Sequence, residues 1–221
     1  MLSRRKGAVR AEITPMSSST KTLIEGSACY GRTYEDWACI RQFVSCAIDG
    51  DGSILDVGCA NGYFLKCMQK WCAPYVLEPF GIDVDGNAIR MAELMFPTYP
   101  GHFFQCDIRK MGSFSPLPIP PQFSYVFCSL LGPGADESAG ESFVSTALSL
   151  LRRRVADGGR LVLGFYGASH SQLGSAQQVI ERSALIGYVS QFYRYGLMLD
   201  RIVPNPAGSN HVVAWCDDCG T

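Results

Sequence analysis

Long hydrophobic runs are missing from this 221-residue sequence. No apolar stretch approaches the roughly 18 residues that a membrane-spanning helix requires, which argues against a membrane protein. A charge excess is missing too, since 19 basic residues oppose 20 acidic ones and the net charge is -1. That balance disfavours a chain whose main task is gripping nucleic acid, although a local basic patch remains open. The length and the hydrophobic content of 47% favour one α/β domain with a sizeable core.

Two familiar phosphate-binding motifs are missing from the glycine-containing segment 53–62, SILDVGCANG. A dinucleotide fingerprint needs G-x-G-x-x-G, but Ala60 stands where the second glycine is required. A phosphate loop ends in Gly-Lys-Ser/Thr, but Tyr63 follows Gly62. A nucleotide-dependent oxidoreductase and a nucleotide triphosphatase are therefore both disfavoured.

The same segment predicts a strand, a glycine turn and a helix. The apolar run 54–57, interrupted by Asp56, is typical of a buried strand. Gly58 and Gly62 follow with three residues between them, and glycines at a strand end let a ligand lie against bare backbone. A helix that begins there presents unpaired N–H groups to an anionic group. Apolar residues then recur at helical spacing, at Phe64, Leu65, Met68 and Trp71.

The pattern D-x-G-x-x-x-G in this turn closely resembles motif I of the class I S-adenosylmethionine-dependent methyltransferases. The alternative is a generic tight turn between a strand and a helix. The resemblance implies that the loop holds the amino-acid end of the cofactor, through Asp56, Gly58, Cys59, Ala60, Asn61 and Gly62.

An acidic residue follows at the spacing expected of a ribose ligand. Residues 78–85 predict a second strand, and Asp83 near its end lies 21 residues beyond Gly62. A carboxylate there can accept hydrogen bonds from both ribose hydroxyls. The run G-I-D-V-D again resembles the methyltransferase pattern, so Asp83 and the adjacent Val84 are predicted to bind the cofactor. Asp85 is predicted instead to cap the helix that starts near Gly86.

Two further strand ends are candidates through the resemblance. A third strand over 102–108 ends in Asp107 and Ile108, which match the positions that contact adenine in the family. A fourth strand over 123–128 ends in Cys128, also predicted to line the cofactor site. The Asn/Asp-Pro-Pro-Tyr/Phe signature of adenine-N6 enzymes is missing at this strand end, which weighs against that activity.

A helix is predicted before the first strand. Thr33 and Asp36 resemble an N-terminal cap, and an apolar stripe follows at Trp37, Ile40, Val44 and Ala47. In the resembled family such a helix covers the cofactor pocket. Tyr30, Tyr34, Trp37 and Arg41 are candidate contacts, of which we favour Tyr30 and Tyr34 because Trp37 fits the buried stripe.

The remaining chain predicts alternating helices and strands. We expect a helix from the capping box at Ser138 to Val155, and a stop at Asp157-Gly158-Gly159. Strands follow at 160–166, 189–195 and 211–216, with a helix through about Ile186 between the first two. The three arginines 152–154 are predicted to be a solvated helix end.

The resulting fold prediction is an α/β three-layer sandwich with a mostly parallel seven-stranded sheet. It is a Rossmann-like methyltransferase fold with an N-terminal covering helix, and the resemblance spans roughly residues 33–216. We predict a flexible basic tail over 1–22, with a transit peptide as the alternative, and a single domain over 23–221.

The ten cysteines do not suggest a disulfide framework, because several fall in predicted core elements. We expect reduced thiols and a cytoplasmic protein, with organellar targeting by the basic tail as the alternative. Cys216 and Cys219 have metal-pair spacing, but no second such pair exists and no metal is predicted.

The functional prediction is methyl transfer from S-adenosyl-L-methionine to an oxygen or nitrogen nucleophile of a small molecule, yielding S-adenosyl-L-homocysteine. His170, after the fifth strand, is the predicted general base. The alternatives are an RNA or protein methyltransferase and a non-catalytic module that binds the cofactor. The partner is thus a small-molecule acceptor with nucleic acid left open, no membrane is expected, and the sequence does not indicate an oligomeric state.

Overall fold

The computed structural model describes residues 33–39, 41–108, 117–129, 147, 149–165, 201–204 and 212–217. The elements within them are seven strands of one sheet, three α-helices and one 3-10 helix, and two of the α-helices connect the first three strands. The strands are β1 Gly52–Val57, β2 Leu77–Asp83, β3 Phe103–Gln105, β4 Phe123–Cys128, β5 Val155–Phe165, β6 Arg201–Pro204 and β7 Val212–Asp217. The helices are α1 Tyr34–Cys39, a 3-10 helix Gln42–Ala47, α2 Tyr63–Trp71 and α3 Gly86–Met95.

The sheet has the order β3-β2-β1-β4-β5-β7-β6. Strands β1 to β5 pair in parallel, and β7 runs antiparallel to both β5 and β6. The predicted mostly parallel sheet is therefore confirmed, with β7 as the strand that reverses direction. The strand predicted over 189–195 lies outside the described residues, and the described partner of β7 is β6.

Apolar side chains fill both faces of the sheet, as a three-layer sandwich requires. Alternate residues of β1 belong to opposite clusters: Leu55 and Val57 pack on one face, while Ile54 packs on the other. The first face is covered by Leu150 and Leu151 from the helical residues 149–152. The second face is covered by α1, the 3-10 helix, α2 and α3.

The segment before β1 differs from the single helix predicted there. The cap is confirmed, because Thr33 Oγ1 accepts a hydrogen bond from Asp36 N at 3.2 Å. Helix α1 nevertheless ends at Cys39, and the 3-10 helix begins at Gln42 after Arg41, whose backbone is at φ -126° and ψ -32°. The change of helix type turns the segment between its two buried parts, around Trp37 and around Val44.

The helix predicted to reach Val155 is too long. Val155 is the first residue of β5 and pairs with Phe123 of β4, and both side chains are fully buried. Asp157-Gly158-Gly159 therefore lies inside β5, where the register with β4 shifts and Gly158 adopts φ +70°. The Asp-Gly-Gly segment, which was predicted to end a helix, instead forms an irregularity within strand β5.

Seven cysteines of the described chain are free, and five of them are buried. The prediction that core cysteines act as small apolar residues fits these five positions. Cys216 is disulfide-bonded, so the expectation of reduced thiols throughout is wrong at that residue. Within the described ranges, no cluster of His, Cys, Asp or Glu is suited to a metal ion. Nor does the described part of the chain contain a helix with the length and apolarity to cross a bilayer.

Candidate ligand-binding site at the carboxyl edge of the sheet

A cavity of about 590 Å³ lies at the carboxyl ends of β1, β2 and β4. The chain leaves β1 toward β2 on one side and returns to β4 on the other, so the cavity lies at the topological switch point where α/β proteins bind ligands. Its walls come from α1, the glycine loop, α2, α3 and the ends of β1 to β4. The lining residues include Trp37, Arg41, Asp56, Gly58, Cys59, Ala60, Asn61, Phe64, Asp83, Val84, Asp85, Asn87, Cys106, Ile108, Phe127 and Ser129.

The glycine loop runs through left-handed backbone at three positions. Gly58 has φ +88°, Ala60 has φ +47° and Gly62 has φ +74°. The backbone N–H groups of Gly58 and Cys59 both donate to the carbonyl of Ile82, at 2.8 and 3.1 Å, which fastens the loop to β2. Gly58 lines the cavity, so the predicted contact between bare backbone and a ligand is available there.

Gly62 was predicted to bind the cofactor, but it does not line the cavity. It is the N-cap of α2, and a Cβ placed on it would lie 3.1 Å from both Ala92 Cβ and Phe96 Cε2. Its role in this structure is therefore to let α2 pack closely on α3. Asn61, by contrast, is buried, lines the cavity and accepts a hydrogen bond from Tyr63 N at 3.2 Å.

Asp83 connects the glycine loop to the end of β2. Its Oδ2 accepts from Ala60 N at 2.8 Å, and its Oδ1 accepts from Asp85 N at 2.9 Å. Asp85 in turn accepts from Asn87 N at 2.8 Å and is the N-cap of α3, as predicted, while also lining the cavity. The Asp83 carboxylate thus faces the cavity with its position fixed by two backbone donors.

Asp56 places a second carboxyl group in the cavity wall and is only 2% exposed. Burial raises its pKa, the charge of Asp83 adds to this, and Arg41 opposes it, so that the pKa is about 8. A carboxyl group with this pKa is largely protonated at neutral pH. A cationic ligand group beside it would favour release of that proton.

The segment before β1 closes the cavity with residues other than those favoured. Trp37 and Arg41 line it, and the Arg41 guanidinium lies 5.6 Å from the centre of the Trp37 ring. Tyr34 does not line the cavity; it packs against the core with its ring 6.4 Å from that of Trp37. The contact of Tyr34 with a ligand stays a prediction, while Trp37 is both buried and at the cavity wall. Tyr30 lies outside the described residues.

The predicted adenine contacts are only partly at the cavity. Ile108 lines it, together with Cys106. Val84, which was predicted to bind the cofactor beside Asp83, also lines it and remains 51% exposed. Asp107 does not line it, and its contact with adenine stays a prediction. Strand β3 ends at Gln105, so these residues lie in the segment that follows the strand.

Cys128 is also absent from the cavity wall. Its side chain is 1% exposed and belongs to the core on the opposite face of the sheet. Strand alternation gives the cavity the neighbouring residues Phe127 and Ser129 instead. The Phe127 ring lies 4.9 Å from that of Phe64 on α2, and the two form an aromatic wall that the sequence analysis did not identify. The helical apolar stripe containing Phe64 was the available signal.

Of the histidines at positions 102 and 170, the structure describes His102. His170 lies outside the described residues, so its role as a general base stays a prediction. His102 packs as a structural residue, because its ring stacks on Phe80 at 4.0 Å while Nδ1 lies 3.0 Å from the carbonyl oxygen of Pro79.

One close contact lies beneath the loop. A Cβ built on Gly81, in the middle of β2, would lie 2.6 Å from Cys59 Sγ and 2.8 Å from Phe103 Cδ1. Glycine at this position therefore leaves room for the Cys59 side chain, which is 3% exposed.

No family model and no curated protein matches this sequence. Solved structures do resemble it. A complex of the Haloferax volcanii Trm112 methyltransferase activator with a chain described as a methyltransferase has a TM-score of 0.60 at 13% identity, covering 96% of this chain and 99% of that one. A methyltransferase from Aquifex aeolicus that depends on S-adenosylmethionine (SAM) scores 0.56 at 13% identity, covering 93% and 100%.

A third resembling structure contains a ligand. The N-methyltransferase NodS from Bradyrhizobium japonicum WM9, in complex with S-adenosyl-L-homocysteine, has a TM-score of 0.53 at 17% identity, covering 90% of this chain and 96% of that one. The architecture seen in this chain is accordingly the class I methyltransferase fold. At these identities the likeness concerns the fold, and any activity has to be argued from the site itself.

Proposed function

We propose that this protein is an S-adenosylmethionine-dependent methyltransferase that acts on an oxygen or nitrogen nucleophile of a small molecule. The observation that carries the proposal is the pairing of the positive-φ loop at Gly58 with the fixed carboxylate of Asp83, at the switch point of a methyltransferase-type sheet. Three resembling structures are described as methyltransferases, and one holds the demethylated cofactor.

The chemistry of the described lining residues fits this cofactor. Asp83 has acceptor oxygens for ribose hydroxyls, and Val84 and Ile108 supply apolar surface for a flat base. The amino-acid end of the cofactor carries both an ammonium and a carboxylate group. The ammonium would lie beside Asp56 and favour release of its proton, and the carboxylate would lie beside the Arg41 guanidinium. When bound, S-adenosylmethionine supplies an electrophilic methyl group whose leaving group is a neutral thioether.

The remaining work of the protein is alignment and exclusion of water. The loop 58–61 and Asp83 orient the cofactor, whereas Trp37, Phe64 and Phe127 shield the end of the cavity nearest β4. An acceptor would approach at that end, beside the Ser129 hydroxyl. His170 remains our proposed base for acceptors that must lose a proton.

A small-molecule acceptor is supported by the aromatic wall of Phe64 and Phe127, which suits a compact apolar body. The three arginines 152–154 offer weak support for nucleic acid. Arg154 donates to the carbonyls of Pro120 and Pro121, each at 3.3 Å, and Arg153 donates to Ser149 at 3.2 Å. An RNA or protein acceptor remains the alternative to be tested.

Calorimetric titration with S-adenosylmethionine, S-adenosyl-L-homocysteine and NAD tests the cofactor assignment. We expect micromolar binding of the two sulfur ligands and none of NAD; binding of NAD alone would overturn the proposal. Incubation with methyl-labelled cofactor and separate pools of small metabolites, RNA and protein then identifies the acceptor class. Cofactor binding without transfer to any pool would support the non-catalytic alternative.

A further inference from the structure

A row of three aligned side chains crosses the sheet on the face that carries α1 and the 3-10 helix. Tyr125 of β4 is in register with Arg160 of β5, and Arg160 with Asp217 of β7. Residues aligned in this way share a face of the sheet. The row lies below the cavity, since Phe127 and Ser129 at the cavity follow Tyr125 along β4.

Arg160 is the centre of this row. Its Nη1 donates to the Ala47 carbonyl at 2.5 Å and its Nη2 to Asp49 Oδ2 at 2.9 Å, while Nε donates to Asp217 Oδ1. The guanidinium carbon also lies 5.3 Å from the centre of the Trp215 ring. The side chain is 13% exposed, so its planar fork of donors is held by contacts on several sides.

The contact with Ala47 fastens the end of the 3-10 helix. Ala47 is the last residue of that helix, where carbonyl groups lack helical partners and a nearby cation is favourable. Asp49, two residues later, is held from the other side, because the Tyr125 hydroxyl lies 3.0 Å from its Oδ1. The segment entering β1 is thus attached to both β4 and β5.

Backbone hydrogen bonds continue from this attachment to the cavity wall. Ile48 N donates to Ser45 O and Val44 N to Arg41 O, each at 3.1 Å. Arg41 N then donates to Ala38 O at 3.0 Å, which joins the 3-10 helix to α1. The two cavity residues Trp37 and Arg41 therefore lie at one end of a hydrogen-bonded segment whose other end is fixed by Arg160.

We propose that Arg160 is a positioning residue for the ligand site. It holds the segment 41–49 against the sheet and thereby keeps Arg41 and Trp37 at the wall of the cavity, without touching a ligand itself. The identity of the ligand rests on the proposed function, but the anchoring of the segment does not.

Arg160→Ala tests the proposal, with Arg154→Ala as the matched control. Arg154 is also a partly buried arginine that donates to two backbone carbonyls, but those belong to Pro120 and Pro121, away from the segment 41–49. Amide hydrogen exchange, measured by mass spectrometry, should become at least about tenfold faster in residues 41–49 of Arg160→Ala while α2 is unchanged. Arg154→Ala should leave both segments at the wild-type rate.

Ligand affinity is the second readout. We expect Arg160→Ala to weaken S-adenosylmethionine binding about tenfold, which is about 1.4 kcal/mol, and Arg154→Ala to leave it unchanged. Arg160→Lys, which retains a charge and a donor near Ala47, should recover part of the affinity. It also serves as the test variant if circular dichroism shows that Arg160→Ala does not fold, with faster exchange in 41–49 again expected.

Two outcomes would overturn the positioning role: wild-type exchange in 41–49 in the folded Arg160 variants, or affinity within twofold of wild type despite faster exchange. Equal loss of affinity in Arg154→Ala would overturn it as well, because the effect would then be a general loss of stability. If the wild-type protein binds neither sulfur ligand, the proposed function fails, and the exchange measurement alone decides whether Arg160 anchors the segment.

Discussion

The Asp83 carboxylate accepts a hydrogen bond from the backbone N–H of Ala60 at 2.8 Å, so the end of β2 fixes the loop that follows β1. The carboxylate therefore has two tasks in our proposal: it holds the loop and it accepts ribose hydroxyls. A substitution at Asp83 should disturb both tasks, whereas one at the neighbouring helix cap should disturb mainly folding stability.

Asp83→Ala is expected to weaken S-adenosylmethionine binding by about 10- to 100-fold. This range is about 1.4–2.7 kcal/mol, which is the worth of about one hydrogen bond to a charged group. Calorimetry of the folded variant provides the measurement. Asp85→Ala is the control, because loss of the α3 cap should lower the free energy of unfolding by about 1 kcal/mol and change the affinity less. Unchanged affinity in Asp83→Ala would remove Asp83 from the site.

The two glycines of the loop should respond differently to substitution. Both have positive φ, but only Gly58 lines the cavity. Gly58→Val forces a β-branched side chain into the left-handed region and into the ligand space, so we expect binding to fall below detection. Gly62→Ala should instead destabilise the fold through Ala92 and Phe96 and leave the affinity of the folded fraction near wild type. Normal binding by Gly58→Val would contradict the role of this loop.

Ala60 is the described non-glycine residue that adopts left-handed backbone, at φ +47°. That conformation costs an L-residue roughly 1–2 kcal/mol, and part of this is recovered when glycine replaces alanine. Ala60→Gly should therefore raise the free energy of unfolding by about 0.5–1 kcal/mol in urea denaturation, with the Asp83 hydrogen bond retained. A decrease in that free energy would contradict this expectation. It would mean that the extra freedom glycine gives the unfolded chain costs more than the relief of backbone strain at position 60 gains.

Asp56 should make folding stability depend on pH. Its pKa is about 8 in the folded protein, because of burial first and the Asp83 charge second, and about 3.9 in an unfolded chain. Between these pH values Asp56 keeps its proton in the folded state but has released it in the unfolded state. The contribution of Asp56 to the free energy of unfolding is therefore fully present below about pH 4 and is lost as the pH rises to about 8. The slope approaches about 1.4 kcal/mol per pH unit.

Asp56→Asn should remove that slope, since an amide does not titrate. Urea denaturation of both proteins at intervals from pH 5 to pH 9 measures the difference, and the comparison cancels the other titrating groups. Parallel curves for the two proteins would show that Asp56 is already ionised in the folded state at pH 5.

Much of this organisation was readable from the sequence because it depends on local chemistry. The glycine loop, Asp83 at the end of β2 and Asp85 as a helix cap each follow from a residue type at a fixed place relative to a strand. The period of two also predicts that Phe127 and Cys128 face opposite sides of β4. It does not reveal which side meets the cavity, because that depends on where α2 packs, and so Cys128 was chosen instead of Phe127.

The other differences between the sequence predictions and the structure have a similar origin. An apolar stripe marks Trp37 as buried but does not reveal that a buried ring also forms a cavity wall, which led to the choice of Tyr34. Val155 continues the helical spacing of Leu150 and Leu151, yet pairing with Phe123 in the sheet prevails over that local pattern. Arg160 gave no local signal, because its partners at Ala47, Asp49 and Asp217 are distant in sequence.

Gly81 and Cys59 share one limited volume between β2 and the loop, and this links the residues that the two positions can accept. A side chain can be added at position 81 only if position 59 gives up its own and Phe103 becomes smaller, so single replacements at 81 should be rejected while compensated ones survive. In relatives of this chain, a larger side chain at position 81 should therefore occur together with a smaller one at position 59. A relative with a large residue at position 59 or 81 should have glycine at the other of these two positions.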